Sequence, residues 1–321
     1  MALTLSNPLR PVLLAAGRSS RLEHGIVGLG LTRKVVNRFV AGENEPAVVA
    51  VVSELLQSRR LVSVDYLGED TTDTAQASAT VDAYLSLLKA YAKLPVSTTD
   101  VIRPLEVSLK LSALGQSLPD VGHEVALANA RKVCTAAYAV SAWVTVDAED
   151  HTTTDSTLSI VRALRQDFDD VGTVLQAYLH RTEQDCRDLS GPGSRIRLCK
   201  GAYKEPATVA YQKPAEVDDS YLRCLEVLMR GQGYPMVASH DPKIIARAQQ
   251  LAADTERGSA DFEFQMLYGI RGDEQLRLVE NGFQCRVYVP FGDQWYGYFM
   301  RRLAERPANL VFFLRSLVTT K

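Results

Sequence analysis

The sequence predicts an α/β chain folded as a (β/α)8 barrel behind a helical segment, and three observations predict it. Eight short β-branched apolar runs recur at intervals of roughly 20 to 40 residues with helical text between them, the rhythm of βα units feeding a parallel sheet. Eight such units close most simply into a barrel. No G-x-G-x-x-G turn joins the first run to the helix after it, which counts against a doubly wound dinucleotide-binding sheet. With 321 residues, 46% apolar and 23% charged, the chain is long enough to bury one large core, and α/β barrels of this length are often single units.

Residues 1–60 read as an N-terminal helical segment without strands. Val27, Leu31, Val35 and Phe39 stand at helical spacing within Ile26 to Val40, and a second helix is expected over Ala47 to Arg59, after Pro46. Residues 61–321 form the barrel. Its strands are predicted in LVSVDYLGE from Leu61, LEVSLKLSAL from Leu105, AWVTVDAE from Ala142, GTVLQAYL from Gly172, RIRLCKGAY from Arg195, PMVASHD from Pro235, DFEFQMLYG from Asp261 and FQCRVYVPFG from Phe283. Amphipathic stretches such as VDAYLSLLKAYAKL from Val81 supply the helices between them. No internal repeat or low-complexity linker interrupts the series.

Composition narrows the function classes. A formal net charge of -2 gives no electrostatic case for nucleic acid or for anionic lipid. The five cysteines, Cys134, Cys186, Cys199, Cys224 and Cys285, are scattered and form no C-x-x-C pair, as expected of reduced cytoplasmic thiols. The five histidines show no metal-ligand spacing, so no metal is predicted. The apolar patch from Pro11 to Gly17 lacks the basic leader and cleavage site of a signal peptide. No window reaches the roughly 18 to 20 apolar residues of a membrane span, so any membrane contact is expected to be peripheral.

In a barrel the chemistry lies at the carboxyl ends of the strands. The predicted strands offer Asp65, Glu69, Lys110, Asp147, Glu149, Gln176, Arg197, Lys200, His240, Gln265, Tyr268 and Tyr288 there. Any one of them alone reads more readily as a solvated or paired side chain; their convergence is the argument. Arg195, Arg197 and Lys200 lead to the Gly201-Ala202 pair, which suits a cofactor anion approached closely by backbone. On the last long helix, Tyr298, Arg301, Arg302 and Glu305 share one face at i, i+3, i+4 and i+7. That face reads either as a carboxylate clamp, with Glu305 holding an arginine in place, or as the solvent side of an amphipathic helix. Lys110 and Lys200, in apolar surroundings, also admit a Schiff-base lyase, although paired structural lysines are commoner.

With those residues in view, the chain resembles the proline dehydrogenase family, including the proline dehydrogenase domain of bifunctional proline utilisation proteins. The resemblance covers roughly residues 60 to 318 and rests on RLCKGAYKE from Arg197, FEFQMLYGIR from Phe262 and CRVYVPFGDQWYGYFMRRLAERPAN from Cys285. Weaker agreement comes from LKLSAL at Leu109, VDAED at Val146, LQAY at Leu175 and ASHD at Ala238. It implies a distorted barrel with its eighth helix over the mouth and FAD at the strand ends. L-proline is the implied substrate, oxidised to 1-pyrroline-5-carboxylate in the first step of proline catabolism. By position in the motifs, Arg301 and Arg302 would bind the proline carboxylate. Lys110 and Tyr288 would line the pocket, Tyr298, Leu267 and Tyr203 would add to its walls, and Glu305 would orient the arginines. FAD contacts would come from Asp147, Gln176, Arg197, Cys199, Lys200, Gly201, Ala202, His240 and Gln265, with Lys213 a weaker candidate because its loop matches poorly.

Cys199 stands where the family usually has valine, and Lys204 where some members have tryptophan, departures that touch redox tuning and not the reaction class. The resemblance further implies a quinone electron acceptor, peripheral contact with the inner membrane and a downstream pyrroline-5-carboxylate dehydrogenase. Hydroxyproline dehydrogenase is the alternative within the family; its members carry a smaller residue where Tyr288 stands here.

Overall fold

Parallel strands pair strictly in chain order, and the eighth returns to the first to close a barrel. The computed structural model describes residue 36, residues 38–96 and residues 102–305, the last five through their backbone alone. The strands are β1 (Leu61–Tyr66), β2 (Leu105–Leu109), β3 (Trp143–Val146), β4 (Gly172–Gln176), β5 (Arg195–Cys199), β6 (Tyr234–Ala238), β7 (Glu263–Leu267) and β8 (Cys285–Phe291). Seven fall within the runs read from the sequence, and β6 begins one residue before its run, at Tyr234. Helix α1 (Glu45–Gln57) precedes them, and α2 (Thr74–Tyr91), α3 (Gly122–Ala139), α4 (Thr154–Leu164), α5 (Thr182–Leu189), α6 (Pro214–Arg230), α7 (Pro242–Asp254), α8 (Gly272–Glu280) and α9 (Trp295–Glu305) follow the successive strands.

Local chemistry sets several helix starts. Asn44, Asp73 and Asp241 cap α1, α2 and α7 by accepting the backbone N–H of Ala47, Gln76 and Lys243. Pro46, Pro214 and Pro242 occupy the first turns of α1, α6 and α7, where a missing N–H costs nothing.

Strands such as β1, β2, β5 and β7 alternate apolar and polar residues, and the barrel sorts the two sets. Val62, Val64, Val107, Leu109, Val144 and Val146 face the first helices in one continuous apolar layer with Val287 and Val289. Ile196, Leu198, Val237, Phe264 and Met266 pack against α5, α6 and α7 in another. The alternate positions, which include Ser63, Asp65, Glu106, Ser108, Thr145, Arg195, Arg197, Glu263, Gln265 and Arg286, are buried and turn into the barrel.

The lumen is therefore ionic. At its amino end Arg286, wholly buried, meets Glu263 at 2.7 and 3.0 Å. Glu106 receives Arg195 at 2.5 Å and Arg197 at 2.8 Å. Burial alone would raise the Glu106 carboxyl, but Arg195, Arg286 and Arg197 together hold it down at about 2. Arg195 also lies 3.7 Å from the centre of the Trp143 ring. It thus stands at the floor of the barrel, so the expectation that Arg195 serves a cofactor anion at the mouth is corrected. The physical reason is the rise of a strand: Arg195 opens β5, two residues below Arg197 and four below Cys199.

The last helix departs from the outer ring. Trp295, Tyr296, Tyr298, Phe299 and Met300 of α9 form an apolar cluster with Val36, Phe39, Val40, Leu67 and Ile270. Leu67 and Ile270 lie just past the carboxyl ends of β1 and β7, so α9 sits over the mouth. The wall it leaves open is covered by α1, which packs on α2, β1 and β8 with Val48, Val52 and Leu55 buried. Most of the helical stretch expected from Ile26 to Val40 lies outside the described residues.

Candidate functional site

The carboxyl ends of β1, β2, β3 and β8 bring one cation and its partners together. Lys110, the first residue after β2, is buried, and its Nζ lies 2.5 Å from Asp65 Oδ2, 3.3 Å from the Tyr288 hydroxyl and 3.8 Å from Asp147 Oδ2. The Tyr288 hydroxyl donates to Asp147 Oδ2 at 2.8 Å, and the other Asp147 oxygen accepts from Ser108 at 2.7 Å and Arg197 at 2.6 Å. Arg197 is anchored further by Gln265, which accepts from its Nε at 2.5 Å, and lies 5.3 Å from the Tyr288 ring centre. Lys110, Asp147, Arg197, Gln265 and Tyr288, five residues singled out in the sequence, therefore form one hydrogen-bonded cluster.

Electrostatics fix the protonation states there. Burial alone would pull the Lys110 ammonium down, but the carboxylates of Asp65 and Asp147 outweigh it and hold the ammonium above its ordinary value. Burial, reinforced by Asp147 and Asp65, pushes the Tyr288 phenol well up, so it stays a donor. Burial likewise carries Asp65 up to about 6 against the pull of Lys110. Next to the cluster, Glu149 is pushed by burial up to about 7 although Ser112 donates to it from both its backbone N–H and its hydroxyl.

A second group lines the adjoining strand ends β4 to β7. Gln176 donates to the Glu149 carbonyl at 2.8 Å. Lys200, half-buried past the end of β5, pairs with Asp218 at 2.5 Å and Asp241 at 3.2 Å. His240 Nε2 accepts the backbone N–H of Leu267 at 2.9 Å, which fixes the ring beside the end of β7. Gly201 has φ +107, and a Cβ there would fall 2.4 Å from the Tyr178 ring, so only glycine lets the chain pass that ring closely. An ammonium, a guanidinium, two amides and an imidazole on consecutive strand ends, beside a bare stretch of backbone, form a donor set that fits a flat, phosphorylated cofactor.

The remaining predicted residues are distributed as follows. Ala202 and Tyr203 are half-buried in the loop after β5. Cys199 is half-buried, and its thiol donates to the Leu175 carbonyl at 3.6 Å. Leu267 ends β7 half-buried, and Tyr298 is buried in the α9 cluster. Lys213 is exposed at the start of α6, paired with Glu216 at 3.2 Å, and does not join the strand-end groups. Arg301, Arg302 and Glu305 belong to the last turns of α9, and their side chains lie outside the described residues.

Sequence reasoning missed part of the set of carboxylates that seats this site. Asp65 was one strand-end candidate among many, and Glu106 and Glu263 were not singled out. The available signal was a charged residue inside a strand whose alternate residues are all apolar, since in a barrel that parity points inward. Also missed was Glu205, which joins three loops of the rim by accepting from the His151 backbone N–H at 2.9 Å and from the Tyr178 hydroxyl at 3.3 Å while pairing with the His151 ring. A cleft of about 690 Å³ lies at the opposite, amino end of the barrel, lined by Trp143, Arg195 and Tyr234. Arg257 fills its edge by donating to the carbonyls of Met229, Gly231, Gly233 and Asp261, a structural tie remote from the strand-end cluster.

Comparison with known proteins gives the family and the fold. The proline dehydrogenase family model matches residues 48–315. Proline dehydrogenase 1 of Bacillus subtilis is 37% identical over 310 residues, which is 97% of this chain and 99% of that protein. Proline dehydrogenase of Deinococcus radiodurans is 38% identical over 286 residues, 88% of this chain and 90% of that protein. Among solved structures, proline utilization A from Bdellovibrio bacteriovorus inactivated by N-propargylglycine superposes with a TM-score of 0.78 at 24% identity, covering 92% of this chain and 36% of that one. A mutant of the Bradyrhizobium japonicum protein of the same name gives 0.71 at 23% identity, covering 87% and 32%. The chain thus spans about a third of the length of those two structures, and their likeness speaks for the fold.

Proposed function

This chain belongs to the proline dehydrogenase family, and from that premise we propose that it oxidises L-proline to 1-pyrroline-5-carboxylate with FAD bound along the ends of β4 to β7. The observation that carries the reading is the cluster of Lys110, Tyr288, Asp147 and Arg197: a buried ammonium held charged at the barrel mouth by Asp65 and Asp147. An amino-acid carboxylate is the natural partner of that cation.

In this reading Lys110 grips the substrate carboxylate, joined from α9 by Arg301 and Arg302, with Glu305 orienting them. Tyr288 packs against the ring of the substrate while its hydroxyl is held by Asp147. Tyr203, Leu267 and Tyr298 close the pocket against water. Asp147, Gln176, Arg197, Cys199, Lys200, Gly201, Ala202, His240 and Gln265 hold the cofactor, with Lys213 at the periphery. Bound FAD supplies the two-electron acceptor for the hydride that leaves carbon five of the substrate. The chain's own contribution is orientation, because fixing the carboxylate and the ring face removes most of the entropic barrier. Hydride departure needs the lone pair of a neutral ring amine, so turnover rises with pH.

A Schiff-base lyase fits poorly, because such a lysine must lose its proton, and the carboxylates beside Lys110 hold that proton on. Lys200 is likewise occupied by Asp218 and Asp241. A quinone as final acceptor and a pyrroline-5-carboxylate dehydrogenase as consumer of the product follow from the same reading. It also holds the protein cytoplasmic, with transient contact at the inner membrane; among the described residues no helix is long and apolar enough to cross a membrane.

The test is optical and kinetic. The purified protein is expected to be yellow, with an absorption band at about 450 nm that L-proline bleaches without oxygen. L-proline is expected to outrun 4-hydroxyproline. Arg301→Ala or Arg302→Ala should cost about 3 kcal/mol in kcat/KM. A colourless protein, a band indifferent to proline, or either arginine variant with unchanged kinetics defeats the reading.

A further inference from the structure

Asp65 is wholly buried, yet among the described residues its Oδ1 has no hydrogen-bond partner. Its other oxygen lies 2.5 Å from Lys110 Nζ. Few arrangements make two groups so dependent on each other: without the ammonium the carboxylate has little reason to be ionised, and without the carboxylate the ammonium is a desolvated cation. We infer that Asp65 is a positioning residue for Lys110, holding its ammonium charged and fixed at the barrel mouth under the alkaline conditions in which the substrate amine is neutral. The inference deepens the proposed function and rests on it.

The need for such a residue follows from two opposing demands. The amine of the substrate must lose its proton for hydride to leave, and that loss is favoured at high pH. A buried lysine loses its proton at high pH too, and with it the grip on the carboxylate. A carboxylate that is itself out of reach of solvent separates the two titrations. Lys110 has other charged and titratable neighbours: Asp147 just past β3, the Tyr288 hydroxyl from β8, and Glu69 and Glu149 from the loops after β1 and β3. Asp147 is 3.8 Å away and already engaged by Arg197, Ser108 and Tyr288. Glu149 is held by Ser112. Asp65 is the carboxylate nearest the ammonium, and besides Lys110 only the Tyr288 hydroxyl acts on it as a hydrogen-bonding influence among the described residues.

The experiment compares kcat and KM for L-proline from pH 6 to pH 10 in wild type, Asp65→Asn, and Asp65→Asn combined with Lys110→Arg. Wild type should climb and then level. Asp65→Asn should climb and fall again on the alkaline side, through KM more than kcat, with a loss of about 100-fold in kcat/KM at the alkaline end if the ammonium then titrates about two pKa units below that pH. The double variant should regain an alkaline plateau, because a guanidinium does not deprotonate in this range. A wild type that does not oxidise proline defeats the proposed function itself. A wild type that does, with an Asp65→Asn profile of the same shape merely scaled down, overturns the inference alone. Asp65→Ser carries the same expectation. If neither neutral variant folds while Lys110→Met does, Asp65 serves the stability of the barrel, and the inference is overturned as well.

Discussion

Glu149 shows how burial and function compete over one side chain. Its carboxyl is raised from 4.5 to about 7 by desolvation. An acid with a raised folded-state pKa is favoured in its protonated form, so this contribution to stability is complete below about 4.5 and is lost as pH climbs through 7. Glu149→Gln keeps an acceptor for the Ser112 N–H and a donor for the Ser112 hydroxyl without the titration. The variant should match wild type in thermal melts at pH 4 and gain stability on it as pH rises to 8.5, by an amount on the order of 3 kcal/mol. Parallel melting curves at both pH values would refute this. At this scale the sequence revealed Lys110, Asp147, Arg197, Gln265 and Tyr288 because they are polar groups late in predicted strands. It did not reveal that Lys110 belongs to Asp65, 45 residues away, since a pairing across the barrel leaves no local trace.

Among the elements, β2 and β5 depend on each other through Glu106, though they are not neighbours in the barrel. That carboxylate meets Arg195 and Arg197 inside the lumen, and replacing it leaves two buried guanidiniums without their shared counter-charge. Glu106→Gln should therefore destabilise the protein by about 3 to 5 kcal/mol, read from the midpoint of urea denaturation. A change below about 1 kcal/mol would mean that the ring of charges reorganises freely. All eight strands were legible because β-branched runs bounded by helical text need no tertiary information to be recognised. The polar parity inside them was visible as well, but its meaning required closure of the barrel, which turns one face of every strand away from both helices and water.

For the whole molecule, the helix before the first strand matters more than a sequence reading of residues 1–60 as a preface suggests. Val48 and Val52 of α1 have no exposed surface, and the helix covers the seam where β8 meets β1, the position vacated by α9. The family model begins its match at residue 48, inside this helix. A chain starting at residue 60 should expose that seam and lose soluble yield, and Val52→Asp in the full chain should do the same through one buried charge. Circular dichroism and soluble yield at wild-type levels for both would show that the seam needs no cover. The displacement of α9 was legible only through the family resemblance, because an amphipathic helix with arginines on one face reads equally as an outer-ring helix.

The ionic lumen also bears on how the barrel finds its alignment. Sliding a parallel strand along its neighbour by two residues returns apolar side chains to the outside, so the greasy layer under the helices hardly distinguishes the slipped arrangement from the native one. The charges do. A slip of this size in β7 would set Gln265 where Glu263 now stands and strand the Arg286 guanidinium in a space without solvent. The staves of this cask are keyed from within, and the key accepts a single registration.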